Sequence, residues 1–219
     1  MRFDILSIFP HIFDSYLSES ILRRAANRGL IKINVLNIRD FANPPHYQVD
    51  DRPYGGGPGM VLKVEPIYKA VNHLIKSKKN RDLRKKTRVI LFSFRGKKLN
   101  AKLARRFSKY DNLILICGRY DGVDERVAKK IADEEISIGD YVLFGGEAAA
   151  MVLIESVSRF IPGVLGKKES LEEIKGSYPV YTRPEVFYPK TGKRWRAPNV
   201  LIGGNHQEID AWRQKYRKK

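Results

Sequence analysis

Arg88-Val89-Ile90-Leu91-Phe92, Leu113-Ile114-Leu115-Ile116-Cys117 and Glu135-Ile136-Ser137-Ile138 decide the fold. Each is a short apolar run rich in β-branched residues, and each is followed by a loop that contains glycine. Helical patterning follows near Asn100–Phe107, Val123–Ala132 and Glu147–Ile161. Strand, loop and helix in repetition predict an α/β fold with a parallel sheet. Ligands of such sheets sit at the loops leaving the C-terminal strand ends. Ser93–Gly96, Gly118–Gly122 and Gly139–Gly146 therefore point to one site.

Towards the N-terminus, Met1–Pro10 reads as a strand, Ser18–Arg28 as an amphipathic helix ended by Gly29, and Ile31–Ile38 as an alternating strand. Arg39–Met60 has little periodicity and contains Pro44, Pro45, Pro53 and the run Tyr54-Gly55-Gly56-Gly57-Pro58-Gly59. An aperiodic stretch of that length is usually functional or mobile. Glu65–Ile75 looks helical. Towards the C-terminus, Lys167–Tyr181 reads as a polar, mobile linker. Asn205-His206-Gln207-Glu208 then has capping-box spacing and opens a helix with Ile209, Trp212 and Tyr216 on one face. The expected organisation is a main domain over 1–166, a linker over 167–180 and a small C-terminal domain over 181–219.

The 219 residues carry a net charge of +18, an excess that opposes compactness and calls for an acidic partner. Lys78, Lys79, Arg81, Arg84, Lys85, Lys86, Arg88, Arg95, Lys97, Lys98, Lys102, Arg105 and Arg106 fall between Lys76 and Lys109, opposed along the chain only by Asp82. A second basic stretch runs from Lys190 to Arg196 and from Arg213 to Lys219, with Tyr181, Phe187, Tyr188, Trp195, Trp212 and Tyr216 interleaved. Phosphate neutralisation beside stacking surfaces suits single-stranded or looped RNA; a solvated basic face is the plainer alternative. A membrane partner finds little support. The longest apolar run, Ala148–Ile154, is too short to span a bilayer, and the N-terminus does not read as a signal peptide. The single Cys117 rules out an internal disulfide framework, and the expected location is cytoplasmic.

Several chemistries are excluded. No GxGxxG follows a strand and no GxxxxGK[ST] occurs, which argues against a dinucleotide site and a P-loop. His11, His46, His73 and His206 are scattered, so with one cysteine there is no zinc pattern. The remaining chemistry must suit pockets lined by backbone and a few charges. Methyl transfer from S-adenosylmethionine qualifies, because the sulfonium is already activated and positioning supplies most of the rate. If the acceptor is guanine N1, its proton must leave, which requires a carboxylate base and a cation near O6.

Glu135–Leu143 with Gly145-Gly146-Glu147 resembles the TrmD family of tRNA (guanine-N1)-methyltransferases. So do Cys117–Arg126, Arg52–Met60, Val157–Leu165, Tyr181–Val186 and Gly204-Asn205-His206, all in family order. The resemblance implies the SPOUT class, with a C-terminal trefoil knot in the main domain, a small helical RNA-binding domain behind it, and a homodimer whose sites lie at the subunit interface. It implies methylation of guanine 37 in tRNA, next to the anticodon, with S-adenosylmethionine held in the knot. Phe92, Ser93 and Gly96 would form one wall; Gly118, Tyr120, Asp121 and Gly122 a second; Ile138, Gly139, Asp140, Tyr141, Val142, Leu143, Gly145 and Gly146 a third. The glycines have plainer roles open to them: Gly145-Gly146 as a helix start, Gly55–Gly59 as a flexible turn. Arg159 matches a residue that acts at the target guanine, although an ion pair with Glu155, four residues earlier, is the alternative.

Three departures from the family pattern stand out. The family's base is an aspartate in an Asp-Ser-Phe context after Val164-Leu165-Gly166, and none exists here. Glu173, or failing that Glu172, is the candidate replacement, with Glu169 weaker. Ser-Pro-Gln-Gly-Arg reads Ser93-Phe94-Arg95-Gly96-Lys97, and Gly-Gly-Glu-Leu-Pro-Ala reads Gly145-Gly146-Glu147-Ala148-Ala149-Ala150. The chain also ends soon after Trp212, and the Lys76–Lys109 band is a candidate to make up the RNA grip. Two further readings stay open at this stage: a methyltransferase retargeted to another RNA guanine, and a non-catalytic RNA-binding relative.

Overall fold

The computed structural model describes residues 1–76, 86–166, 176–190 and 192–217. The chain divides into two compact units, Met1–Leu165 and Gly166–Lys219.

In the first unit, β1 (Arg2–Ser7), β2 (Lys32–Asn37), β5 (Thr87–Lys98), β6 (Asn112–Ile116) and β7 (Glu134–Ser137) form one sheet in the order β2-β1-β6-β5-β7. Every pairing in it is parallel. Both faces are covered, which is why the central strands read as unbroken apolar runs. Phe3, Ile5, Ile90, Phe92, Leu113, Leu115 and Ile136 point into one core, and Leu6, Val89, Leu91, Ile114 and Ile116 into the other. Helices α2 (Ser20–Asn27), α4 (Ala101–Phe107) and α6 (Glu147–Ser158) cover the first face through Leu22, Phe107 and Leu153. Helices α3 (Val64–Lys76) and α5 (Glu125–Lys130) cover the second through Ile67, Leu74 and Val127. A four-residue helix, α1 (Asp14–Leu17), precedes α2.

Two sequence expectations change. The strand expected to stop at Phe92 runs on to Lys98. Phe92 and Lys97 both stand opposite Ile136, so 93–96 loop out and the strand then rejoins the same partner. Phe94-Arg95-Gly96-Lys97-Lys98 shows no apolar alternation, because the returning leg is held by backbone pairing to β7 rather than by side chains. The Arg39–Met60 region is also more ordered than its composition suggests. Ile38–Phe41 is a 3-10 helix, Val49 is fully buried, and β3 (Asp50–Asp51) pairs antiparallel with β4 (Val61–Leu62).

In the second unit β8 (Val186–Phe187) and β9 (Trp195–Arg196) form a hairpin, with the Phe187 and Trp195 rings 5.5 Å apart. Helices α7 (Asn199–Ile202) and α8 (His206–Tyr216) follow. Asn205 caps α8 through Oδ1, which accepts from the Gln207 N–H at 3.1 Å. The reciprocal half of the box differs from expectation: Glu208 Oε1 accepts from the Asn205 side-chain amide at 2.9 Å. Trp212 packs on Tyr216 at 4.7 Å.

Candidate active site

The loops leaving β5, β6 and β7 enclose a pocket of about 600 Å³. Phe92, Ser93, Gly118, Tyr120, Asp121, Gly122, Ile138, Tyr141, Val142, Leu143, Gly145 and Gly146 line it. Gly96, Gly139 and Asp140 do not. Gly96 lies against β7: a Cβ there would sit 2.5 Å from Ile136 N and 2.6 Å from Glu135 C. Gly139 is held by Ser137, whose Oγ donates to the Gly139 carbonyl at 2.9 Å. Asp140 pairs with Lys98 at the end of β5.

Glycine is needed here for close approach more than for flexibility. Gly146 donates its N–H to the Gly118 carbonyl at 2.9 Å, and a Cβ on it would stand 2.7 Å from Cys117 Cα. Its φ of −81° is ordinary. Gly145-Gly146 therefore starts α6, as the plainer reading has it, and also brings two strand-end loops into backbone contact. The Gly55–Gly59 segment is tied into the same region. Asp121 N donates to Met60 O, and Leu62 N to Gly122 O, both at 3.0 Å. Gly59 has φ +80°, and a Cβ there would strike the Asp121 carboxylate.

Several charged groups in and beside the pocket form local pairs. Glu147, 2% exposed, accepts from Ser7 Oγ at 2.6 Å and from Arg119 Nε at 2.9 Å. This joins β1, the loop after β6 and the first turn of α6. Arg119 lies 5.0 Å over the Phe9 ring. The Cys117 thiol is pushed well above its usual value by burial first and by the Glu147 charge second, so it stays protonated and inert. Arg95 donates to Glu125 at 2.6 Å, and that bond holds the Glu125 carboxyl below its usual value. Asp124 is likewise lowered, chiefly by its hydrogen bond from Arg126.

The model of the family described as tRNA (Guanine-1)-methyltransferase TrmD matches residues 1–219. The chain belongs to the TrmD family. A TrmD relative from Carboxydothermus hydrogenoformans, a tRNA (guanine-N(1)-)-methyltransferase, is 50% identical over 220 residues, covering 98% of this chain and 82% of the relative. Another, from Clostridioides difficile, is 46% identical and covers 98% of this chain and 91% of the relative. The crystal structure of tRNA (m1G37) methyltransferase from Aquifex aeolicus superposes with a TM-score of 0.80 at 42% identity, over 99% of this chain and 88% of that one. A methyl donor goes with membership of TrmD.

Of the candidate catalytic residues of this TrmD chain, Arg159 is the one that falls among the described residues, and it does not line the pocket. Arg159 caps the opposite end of α6, roughly 20 Å from Gly146 at 1.5 Å per helical residue. Glu155 accepts a hydrogen bond from the Tyr16 hydroxyl at 2.9 Å. Glu172, Glu173 and Glu169 lie outside the described residues, as does the densest part of the basic band at 77–85. The rest of that band is less free than its sequence implies. Arg88 and Arg106 both pair with Glu134, Lys86 with Asp111 and Lys98 with Asp140. These carboxylates lie far along the chain, so a linear count could not see them. Sequence reading did not single out Arg119, Glu125, Glu135 and Phe144 as pocket residues, although Arg119 and Phe144 fall in the loops it assigned to the site. The first three stand inside motifs already quoted, but only the fold shows which way they face. Among the described residues no helix is long and apolar enough to cross a membrane.

Proposed function

We propose that this chain transfers a methyl group from S-adenosylmethionine to N1 of guanine 37 in tRNA, as a SPOUT enzyme whose donor pocket lies in a trefoil knot and which works in the cytoplasm. The observation that carries the reading is the convergence of three glycine-bearing strand-end loops on one pocket in a chain of the TrmD family.

The pocket fits the donor on three counts. Its volume of about 600 Å³ is within the range of ligand sites. Its glycines leave backbone N–H and C=O groups accessible to a purine edge. Glu135 has a buried carboxylate oxygen without a hydrogen-bond partner. Bound there, S-adenosylmethionine would supply an activated methyl group. The chain's residues then have positioning work: Ile138 and Tyr141–Leu143 would hold the ligand from one side, and Gly118–Gly122 from the other. Arg159 stabilises the charge that develops on guanine O6, and Glu173 or Glu172 takes the N1 proton.

Arg159 does not line the pocket of its own subunit, which favours a homodimer with each site shared. Phe9, Ile12, Tyr16 and Ile21 after β1, and Val152 on α6, are apolar and exposed. They offer the surface for a second copy. The C-terminal unit, with its aromatic and basic side chains, is assigned to RNA binding.

The test is methyl transfer from labelled S-adenosylmethionine to unmodified tRNA with G37, beside the same tRNA with A37. Label only in the G37 transcript is the expected result. Label in both points to a retargeted enzyme, and label in neither to a non-catalytic relative. The Glu172→Gln/Glu173→Gln double variant should lose about 10²- to 10⁴-fold in single-turnover rate, the usual worth of a general base; an unchanged rate removes both from the mechanism. Arg159→Ala should lose about 10²- to 10³-fold in kcat with donor affinity unchanged, because its assigned role is at guanine O6 and not at the donor.

A further inference from the structure

Most ionised side chains around the pocket have a partner. Arg119 is held by Glu147, and Arg95 by Glu125. Glu135 is different. It lines the pocket from β7, opposite Leu91 on β5. Its Oε2 is buried and has no hydrogen-bond partner, and no other pocket-lining side chain among the described residues has such an atom. Its charge does act on Arg95, yet the Arg95 guanidinium donates to Glu125. Oε2 thus stays without a donor although a cation is near.

An unpaired carboxylate oxygen withdrawn from water is costly, and one that persists at a pocket wall calls for a partner that enters the pocket. Packing alone gives no reason for a carboxylate here. Leu91 opposite and Ala128 on α5, both pocket-lining, would accept an apolar side chain equally well. We infer that Glu135 is a recognition residue for the methyl donor, its free oxygen accepting a hydrogen bond from an N–H or O–H group of the bound molecule. This rests on the donor reading above. On the donor, such a group belongs either to the adenosine part (ribose hydroxyls, adenine amine) or to the α-ammonium of the amino-acid part.

The experiment measures calorimetric binding of S-adenosylhomocysteine and of 5′-methylthioadenosine, which lacks the amino-acid part, to the full-length wild type, Glu135→Leu and Glu135→Gln. The ligand-free thermal midpoint of each is measured alongside. Loss of a hydrogen bond to a charged group should weaken S-adenosylhomocysteine binding about ten- to a hundredfold in Glu135→Leu. The midpoint should hold or rise, because an apolar isostere relieves the buried charge. Equal losses for both ligands assign the bond to the adenosine part, and a loss confined to S-adenosylhomocysteine assigns it to the ammonium. Binding within about twofold of wild type overturns the inference. So does a fall in midpoint that accompanies the weaker binding, since that marks a structural role. If Glu135→Leu does not fold, Glu135→Gln carries the same comparison, with a smaller loss because the amide can still accept. Failure of the wild type to bind S-adenosylhomocysteine sinks the donor reading, and this inference with it.

Discussion

Gly96→Ala is expected to slow methyl transfer about a hundredfold, the loss that an ångström's misplacement can cause, and to weaken donor binding with it, although Gly96 does not line the pocket. The added Cβ would lie 2.5–2.6 Å from Ile136 N, Glu135 C and Ile136 C. These are backbone atoms of the paired strand and cannot rotate away. Either the returning leg of β5 or β7 itself must shift, and the pocket walls at 92–95 and 135–138 are continuous with them. Overpacking of this kind also costs about 1–3 kcal/mol of stability. Single-turnover transfer, calorimetry with S-adenosylhomocysteine and a denaturant melt measure these effects. Gly166→Ala is the control, since its Cβ meets open space and should change none of them. Normal transfer and binding by Gly96→Ala would mean that the β5 return leg does not set the pocket's shape.

Glu147→Ala should cost about 3–5 kcal/mol of folding stability, the range for removing one member of a buried ion pair. Glu147 is 2% exposed and receives both the Ser7 hydroxyl and the Arg119 guanidinium. Its loss leaves Arg119, itself only 22% exposed, facing a cavity, and unties β1 from the start of α6. Urea denaturation of the variant beside wild type reads the cost directly. Glu147→Gln should cost less, because the amide oxygen can still accept from Ser7. The contrast with Glu135→Leu is informative. Two carboxylates, Glu147 buried whole and Glu135 buried at Oε2, line or flank one pocket, and the one already partnered should prove stabilising while the unpartnered one should not. A loss below about 1 kcal/mol for Glu147→Ala, the level of an exposed pair, would contradict the burial argument.

The sheet was legible because both of its faces are buried. Val89–Leu91 and Leu113–Ile116 could only be core strands, and the glycines after them located the pocket. The second leg of β5 was not legible, since backbone pairing leaves no apolar signature in Arg95-Gly96-Lys97-Lys98. The looped-out segment also explains why Phe94 and Arg95 can replace the family's proline and glutamine without loss of the sheet. Their side chains leave the ladder, and Gly96 alone must fit beneath it. Charge was misjudged where neutralisation is long-range: Arg88 and Arg106 looked free along the chain but meet Glu134 across the sheet edge. The Ser7–Glu147 bond joins residues 140 positions apart, and no local spacing rule reaches that far. Arg159 was chosen by resemblance, and its place at the far end of α6 follows from helix length alone.

Asp121 faces the pocket on one side and Gly59 on the other, and the segment carrying Gly59 has Tyr54 fully exposed at its turn. If that exposed turn meets the tRNA, the two substrates would press on opposite sides of one carboxylate. A thermodynamic cycle then constrains them. Whatever factor bound tRNA adds to donor affinity, bound donor adds to tRNA affinity. Repositioning of Asp121 by a side chain at 59 would change that one coupling factor, seen equally from the donor's side and from the tRNA's.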